Sequence, residues 1–213
     1  MKPLVVGLLG GIGAGKSAVA QAFARHGACM VNADALGHEA LEQPAIREAI
    51  LRRWGPTVAD ATGRINRHQL AAEVFRNETA RRELEALVHP YIRRRAEEEI
   101  ARATAEHVPL IVVDAAVLLE AGWNHVCDRL VYVDAPAEVR LERVRRNRNW
   151  SEQDWRAREE AQLPLTQKRA QADHVLDNAS TPEHLSRQVE DLMHRWGLVP
   201  ARDLIQPKSP SSP

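Results

Sequence analysis

Residues 10–17 read Gly-Gly-Ile-Gly-Ala-Gly-Lys-Ser and form the most specific motif in the sequence. It fits the pattern G-x-x-x-x-G-K-[ST], in which glycines let backbone N–H groups turn toward an anion, the lysine reaches the β- and γ-phosphates, and the hydroxyl can bind Mg²⁺. An apolar segment at 4–9 precedes the loop, and an amphipathic segment at 17–25 follows it. A strand, a glycine-rich loop and a helix in this order predict a P-loop, and therefore a nucleoside triphosphate site.

Short apolar runs alternate with longer helical patterns along the rest of the chain. This alternation is typical of βαβ units and a parallel sheet, so the predicted fold class is α/β. Cap residues support the boundaries, since Asn77 can cap a helix, Ser151 to Asp154 fits a capping signal and Thr181-Pro182 fits the start of a helix. The predicted strands are 4–9, 28–31, 110–114, 130–134 and 174–176.

Two long helical stretches interrupt the predicted sheet. Residues 35–107, here named the insertion, separate the second and third strands, and residues 138–172, here named the lid, separate the fourth and fifth. Within the insertion, Pro90 is expected to kink or end a helix near Val88 or His89. The predicted single domain covers 1–199, with core segments 1–34, 108–137 and 173–199, and we expect a disordered tail at 200–213.

The composition bounds the class of protein. The chain has 213 residues, 44% of them hydrophobic, with 29 basic and 29 acidic residues, which fits one globular domain and excludes whole-chain disorder. Its 2 cysteines are too few for a disulfide scaffold, so we expect a reducing compartment and a cytoplasmic protein. Balanced charge gives no global field for nucleic acid, and no apolar run reaches the ~18 residues of a membrane helix. We therefore expect small-molecule partners, with neither nucleic acid nor a membrane.

A P-loop does not identify the phosphoryl acceptor. A GTPase would carry the motif D-x-x-G, which residues 60–63 match, but the match sits between predicted helices and no N-K-x-D motif occurs in the sequence. A transporter-type ATPase would need its own signature motif and a larger sheet. The sequence therefore favours a kinase over these two classes.

Asp34 and Asp114 each lie at the end of a predicted strand. The carboxyl ends of parallel strands form the ligand-binding edge of an α/β sheet, so Asp34 can act as a base or an orienting group for an acceptor hydroxyl. Asp114 is placed to face the metal shell. Both residues fit a structural role as a helix cap or turn residue equally well, and position alone leaves the two interpretations open.

The lid is rich in arginine. Interleaved acidic residues predict that most of these arginines lie on a solvated helix face and form weak ion pairs. Phosphoryl transfer, however, needs cations around the γ-phosphate, and a mobile helical flap can supply one or two of them while it excludes water. The interleaved acids and the scarcity of Phe and Tyr argue against nucleic-acid binding. The arginines are Arg140, Arg143, Arg145, Arg146, Arg148, Arg156 and Arg158.

A series of motifs, in this order and spacing, resembles the dephospho-CoA kinase family from about residue 4 to residue 196. The resemblance implies a three-layer P-loop kinase fold with strand order 2-3-1-4-5, an acceptor-binding insertion and a lid. It also implies ATP-dependent phosphorylation of the ribose 3′-hydroxyl of dephospho-CoA, the last step of coenzyme A biosynthesis. The motifs are 10–17, Asn-Ala-Asp at 32–34, Gly-Arg-Ile-Asn-Arg at 63–67 ahead of Val-Phe at 74–75, Leu-Val-His-Pro at 87–90, 114–120, Val-Asp-Ala-Pro at 133–136, 158–162 and 172–178.

The resemblance also implies roles for individual residues. Asp34 is the expected base, Lys16 and Arg158 are the other expected catalytic residues, and Ser17 is the expected ligand of Mg²⁺, which the charge of the triphosphate requires. We further expect a monomer. The expected ATP contacts are Gly11, Ile12, Gly13, Ala14, Gly15, Lys16, Ser17, Ala18, Arg146 and Asn178, and the expected contacts to dephospho-CoA are Asp34, His89, Arg93 and Asp114.

Three positions depart from the family's pattern. Ala18 stands where the family usually has Thr, and the usual Pro is replaced within 114–120. Asn147 stands where a lid arginine is expected, and Arg146 or Arg148 could substitute for it after a small register shift. Another small-molecule or nucleotide kinase of the same fold, and a regulator that holds ATP without transferring its phosphate, are the alternative functions.

Overall fold

The structure is a computed structural model that describes residues 2–74 and 77–198. Five strands form one parallel sheet in the order β2-β3-β1-β4-β5, so the predicted strands and the strand order implied by the family resemblance are confirmed. The expected disorder of 200–213 lies outside the described residues. The strands are β1 (Leu4–Gly10), β2 (Cys29–Asn32), β3 (Leu110–Asp114), β4 (Arg129–Asp134) and β5 (His174–Asp177).

Helices connect every pair of consecutive strands except β3 and β4, which are joined by turns and a short 3₁₀ segment. Several helices begin where the sequence predicts, because a side chain satisfies the first N–H groups: Asn77 caps one, Thr181 caps another, and Ser151 with Asp154 forms a capping box. The α-helices are α1 (Lys16–Ala24), α2 (Ala33–Glu42), α3 (Pro44–Trp54), α4 (Arg67–Val74), α5 (Glu78–Ala105), α6 (Ala137–Arg148), α7 (Glu152–Glu160), α8 (Leu165–Ala170) and α9 (Pro182–Arg195).

The sheet separates two apolar cores. Along β1, Val6 and Leu8 point to one face, where α1 and α9 pack, while Val5 and Leu9 point to the other, where α2 and α5 pack. A third, smaller core lies within the insertion and involves α3, α4 and the start of α5. The three layers place the carboxyl ends of the central strands β1 and β3 beside the P-loop, where a ligand site of an α/β sheet is expected.

Of the two outcomes expected at Pro90, a kink or a helix end, the helix end is wrong. Helix α5 runs without interruption from Glu78 to Ala105, with Pro90 inside it. Proline removes one backbone hydrogen bond from the helix. Tertiary packing compensates for that loss, because Ile92 and Ala96 of α5 are buried against α2 in the second core. Among the described residues, no helix is long and apolar enough to cross a membrane.

Candidate active site

The P-loop joins β1 to α1. Gly13 and Gly15 have φ angles of 85° and 90°, in the left-handed region that residues with a side chain rarely adopt. This conformation leads the chain directly into α1, with Gly15 as the N-cap and Lys16 as the first helical residue. The first N–H groups of a helix have no intrahelical acceptor, and the helix dipole adds positive potential there. The loop therefore forms an anion site.

Side chains from distant parts of the sequence hold the loop in this shape. The Asn178 side-chain amide donates to the Ala14 carbonyl at 2.7 Å, and Arg143 of the lid donates to the same carbonyl at 3.2 Å. Arg143 also donates to the Asn178 carbonyl at 2.7 Å. The sequence predicts Asn178 as an ATP contact. In the structure Asn178 is buried, and its side-chain amide donates its hydrogen bond to the loop itself.

The lid rests directly on the P-loop. The Ile12 carbonyl accepts hydrogen bonds from the Trp155 indole N–H at 3.2 Å and from the Arg140 guanidinium at 3.4 Å. Arg140 also forms an ion pair with Glu159 and lies 5.1 Å from the centre of the Trp155 ring. Both Trp155 and Arg140 are buried. Helices α6 and α7 are therefore docked on the loop through two side chains.

Replacing Gly15 with alanine is expected to destabilise the protein and to abolish ATP binding. The backbone conformation strains any residue with a Cβ, and a Cβ at Gly15 would overlap the Asn178 amide nitrogen. Gly63→Ala is the matched control, because Gly63 has a φ of 78° but nothing within 4 Å of the added Cβ. In urea unfolding we expect Gly63→Ala to lose about 1–2 kcal/mol and Gly15→Ala to lose more. Equal losses, with ATP binding retained in calorimetry, would contradict this packing.

A lysine and two carboxylates interact beside the loop. The Lys16 ammonium donates to the Gly10 carbonyl at 3.2 Å, and the Ser17 hydroxyl donates to Asp114 Oδ2 at 3.0 Å. Burial lowers the pKa of Lys16, and the negative charges of Asp114 and Asp34 oppose that shift. Burial likewise raises the pKa of Asp114, while the Lys16 charge and the Ser17 hydrogen bond oppose that shift. The three charged groups are therefore close enough to influence one another.

A cavity of about 840 Å³ opens beside the P-loop. This volume lies in the range of about 300–1,000 Å³ that is typical of small-molecule sites. Its wall is mostly apolar, and it is built from α2, α4, α5, the segment after β3, and the lid. The apolar lining includes Leu41, Leu70, Val74, Leu84, Val88 and Trp123, and the basic lining is His38, Arg67, Arg81, Arg82, His89, Arg148 and Arg158.

Four site residues expected from the sequence line this cavity: Ile12, Asp34, His89 and Arg158. Asp34 lies in the first turn of α2 but does not cap the helix, because the Asn32 side chain accepts the hydrogen bond from the Ala35 N–H at 2.9 Å. The helix-cap interpretation of Asp34 is therefore wrong. The Asp34 residue is exposed on the cavity wall.

Other expected site residues lie outside the cavity. Arg146 is exposed in the last turn of α6 and does not line the cavity, whereas Arg148 does. Arg93 is exposed on α5 and lines a second groove of about 380 Å³. Asp114 is bonded to Ser17 rather than placed on the cavity wall. Of Arg146 and Arg148, only Arg148 faces the cavity, and Asp114 lies beside the P-loop.

Sequence reasoning did not single out Trp155 or Lys168. A tryptophan in the charged helix α7 is a usable signal, because an aromatic side chain among charged residues tends to mark a docking contact. Lys168 carries no such signal, since lysine is normally exposed and the pattern around it predicts an ordinary surface helix.

The fold and this site define a P-loop kinase that acts on a small molecule. The sequence profile described as dephospho-CoA kinase matches residues 4–183. Dephospho-CoA kinases of Thermobifida fusca and Anaeromyxobacter dehalogenans are 39% and 41% identical, over 89% of this chain and over 94% and 90% of theirs. The chain belongs to the dephospho-CoA kinase family.

Solved structures share the fold of this chain. A Thermus thermophilus protein is 34% identical with a TM-score of 0.79, over 92% of this chain and 98% of its own. A dephospho-CoA kinase from Campylobacter jejuni is 20% identical with a TM-score of 0.67, over 90% and 96% of the two chains. A shikimate kinase from Acinetobacter baumannii shares the fold at 17% identity with a TM-score of 0.51, over 92% and 96%.

Proposed function

We propose that the protein transfers the γ-phosphoryl group of ATP to the ribose 3′-hydroxyl of dephospho-CoA, with Asp34 as the base. The position of Asp34 carries this proposal. Its carboxylate lines the cavity at the carboxyl end of β2, close enough to Lys16 to affect the pKa of that lysine. A hydroxyl that meets Asp34 from the cavity lies on the acceptor side of the P-loop, where an in-line nucleophile must sit.

On the donor side, residues Gly11 to Ala18 wrap the phosphates of ATP, and Lys16 supplies positive charge to the transferring group. Asn178 supports ATP binding by holding Ala14, and Arg148 is the arginine of α6 that faces the cavity. Ala18 offers no hydroxyl to the α-phosphate, so the backbone of α1 supplies the contacts there.

The oxygen atoms of Ser17 and Asp114 fit a magnesium ion. They lie 3.0 Å apart, and a hydroxyl with a carboxylate is a donor set that Mg²⁺ accepts together with phosphate oxygens and water. Among the described residues there is no cluster of three or more His, Cys, Asp or Glu side chains suited to a metal. When bound, Mg²⁺ would neutralise charge on the phosphates.

On the acceptor side, the cavity lining includes Asp34 on α2 and two arginines, Arg81 and Arg82, near the start of α5. Helix α2 starts at the carboxyl end of β2, and α5 leads into the parallel strand β3, so both helices run back across the sheet in the same direction. Gly37 of α2 lies next to Ile92 of α5, which puts Asp34 near the level of His89. Arg81 precedes His89 on α5 by eight residues, or about 12 Å along the helix axis. Dephospho-CoA suits this arrangement, because it carries a diphosphate beyond its ribose and a long pantetheine arm that the apolar wall can cover.

Arg81 is the cation best placed to bind the acceptor's diphosphate. Its Nε atom is buried and has no hydrogen-bond partner among the described residues, and its guanidinium is 3.7 Å from the Glu85 carboxylate. Loss of a charge-assisted contact costs about 1.5–3 kcal/mol, so we expect Arg81→Gln to raise the KM for dephospho-CoA about 10-fold or more. The KM for ATP should stay within about 2-fold.

Arg94→Gln is the matched control for Arg81, because Arg94 is a cation of the same helix that pairs with Glu98 outside the cavity. It should leave both KM values close to those of the unmodified protein. A higher KM for ATP in Arg81→Gln, with the KM for dephospho-CoA unchanged, would contradict the assignment.

A coupled assay of ADP release tests the proposed function. We expect ADP to appear with dephospho-CoA and not with shikimate or AMP as the acceptor. Turnover with one of the other acceptors would favour a different kinase of the same fold, and ATP binding without turnover on any acceptor would favour a regulator.

We further propose that the enzyme works as a monomer in the cytoplasm on small molecules alone. The two free thiols support a reducing compartment, and the balanced charge argues against nucleic acid as a partner.

A further inference from the structure

Lys168 of helix α8 is buried, with only 2% of its side chain exposed. Its ammonium donates to the Gln162 side-chain oxygen at 2.9 Å and lies 2.8 Å from Glu120 Oε1. Removing an ammonium from water is costly even when it is paired, and an apolar side chain of similar volume often serves stability as well or better. A lysine at this position therefore points to a role other than stability.

The contacts of Lys168 join separate parts of the site. Glu120 belongs to the segment after β3, which follows directly on Asp114, the residue that accepts a hydrogen bond from the P-loop Ser17. The same Glu120 oxygen accepts a hydrogen bond from the Leu163 N–H at 2.9 Å, and Gln162 and Leu163 follow directly on α7. Lys168 thus ties the C-terminal end of α7 to the segment after β3, on a helix that packs against β1.

Gln162, which accepts the hydrogen bond from Lys168, follows Arg158 by four residues, or about one helical turn. Arg158 sits in the last turn of α7, lines the cavity and stacks on the Trp150 ring at 4.2 Å from its centre. Glu120 and Gln162 also line the cavity, whereas Lys168 does not. Lys168 can therefore affect the reaction through the groups that it holds, and its charge also lowers the pKa of Lys16.

We propose that Lys168 is a positioning residue: by binding Glu120 and Gln162 it fixes the end of α7 so that Arg158 faces the transferring phosphoryl group. The inference rests on the proposed kinase reaction for the role of Arg158. The contacts of Lys168 with Glu120 and Gln162 do not depend on that reaction.

Kinetics of Lys168→Met test the positioning role. We expect kcat to fall about 10-fold or more while ATP affinity in calorimetry changes less than about 2-fold, because the P-loop still holds ATP. Lys168→Arg should recover part of the loss. Arg169→Met, which removes the neighbouring cation and its surface ion pair with Asp134, should have near-normal kcat.

The decisive comparison is made in the Arg158→Ala background. If Lys168 acts through Arg158, Lys168→Met should lower kcat there by less than about 2-fold, since effects of coupled residues are not additive. The same factor of loss in both backgrounds would overturn the proposal. If Lys168→Met does not fold, Glu120→Gln, which keeps the shape and removes the charge partner, takes its place with the same expectations.

Hydrogen exchange tests whether Lys168 holds the end of α7 and needs no measurement of activity. Lys168→Met should speed exchange in residues 158–165, including the Leu163 amide, and leave α9 unchanged. Unchanged exchange in 158–165 would overturn the proposal. If the unmodified protein does not phosphorylate dephospho-CoA but exchange still rises, the proposed function fails and the tie stands, so the two failures are distinguishable.

Discussion

Asp34→Asn is expected to lower kcat by about 10²- to 10⁴-fold, because a general base that takes up a proton in the transition state typically accelerates a reaction by that factor. The variant keeps the size of the side chain and removes its charge and basic lone pair. Stability should barely change, because Asn32 rather than Asp34 caps α2. Turnover of dephospho-CoA and thermal melting, measured on one preparation, show whether catalysis is lost while stability is kept.

Glu42→Gln is the control for Asp34→Asn, because Glu42 is another exposed carboxylate of α2 and does not line the cavity. It should have normal kcat and a normal melt. Unchanged turnover in a folded Asp34→Asn protein would leave the kinase without its assigned base. A large drop in melting temperature would instead indicate a structural role for Asp34.

Lys16→Ala is expected to lower kcat by about 10²-fold or more, since one preorganised donor to developing charge is worth roughly that factor. A second effect follows from the charges around it. The Lys16 ammonium lowers the pKa of Asp114, so its removal raises that pKa further above the ordinary value. If ionised Asp114 supports the reaction, the acid limb of the residual activity should move to higher pH in a pH–rate profile.

Lys2→Ala serves as the control for Lys16→Ala, because Lys2 is exposed and pairs with Asp128 far from the cavity. Its kcat and acid limb should match those of the unmodified protein. Near-normal turnover of a folded Lys16→Ala protein would contradict the role of the P-loop.

Features with a local cause could be predicted from the sequence. The P-loop, the five strands and the helix starts at Asn77, Ser151 and Thr181 each depend on residues within a few positions of one another. The strand order came from the family resemblance, because residue patterns show that a strand is buried and parallel but not which strands are neighbours.

Features that depend on distant contacts could not be predicted. Asn178 donates to Ala14 across 164 residues of sequence, and no pattern near Asn178 distinguishes that contact from one to ATP. Arg146 and Arg148 are two residues apart, which on a helix is a rotation of roughly 200°, so the choice between them needs the orientation of α6. The continuation of α5 through Pro90 likewise needs the packing on α2, which outweighs a local preference.

Phosphorus NMR of the products tests the proposed phosphoryl transfer itself. With ATP, Mg²⁺ and dephospho-CoA, we expect ADP and a new phosphomonoester on the ribose 3′-oxygen in equal amounts, with neither formed by the Asp34→Asn protein in the same time. Release of inorganic phosphate without a new phosphomonoester, or a phosphomonoester on a different hydroxyl, would contradict it.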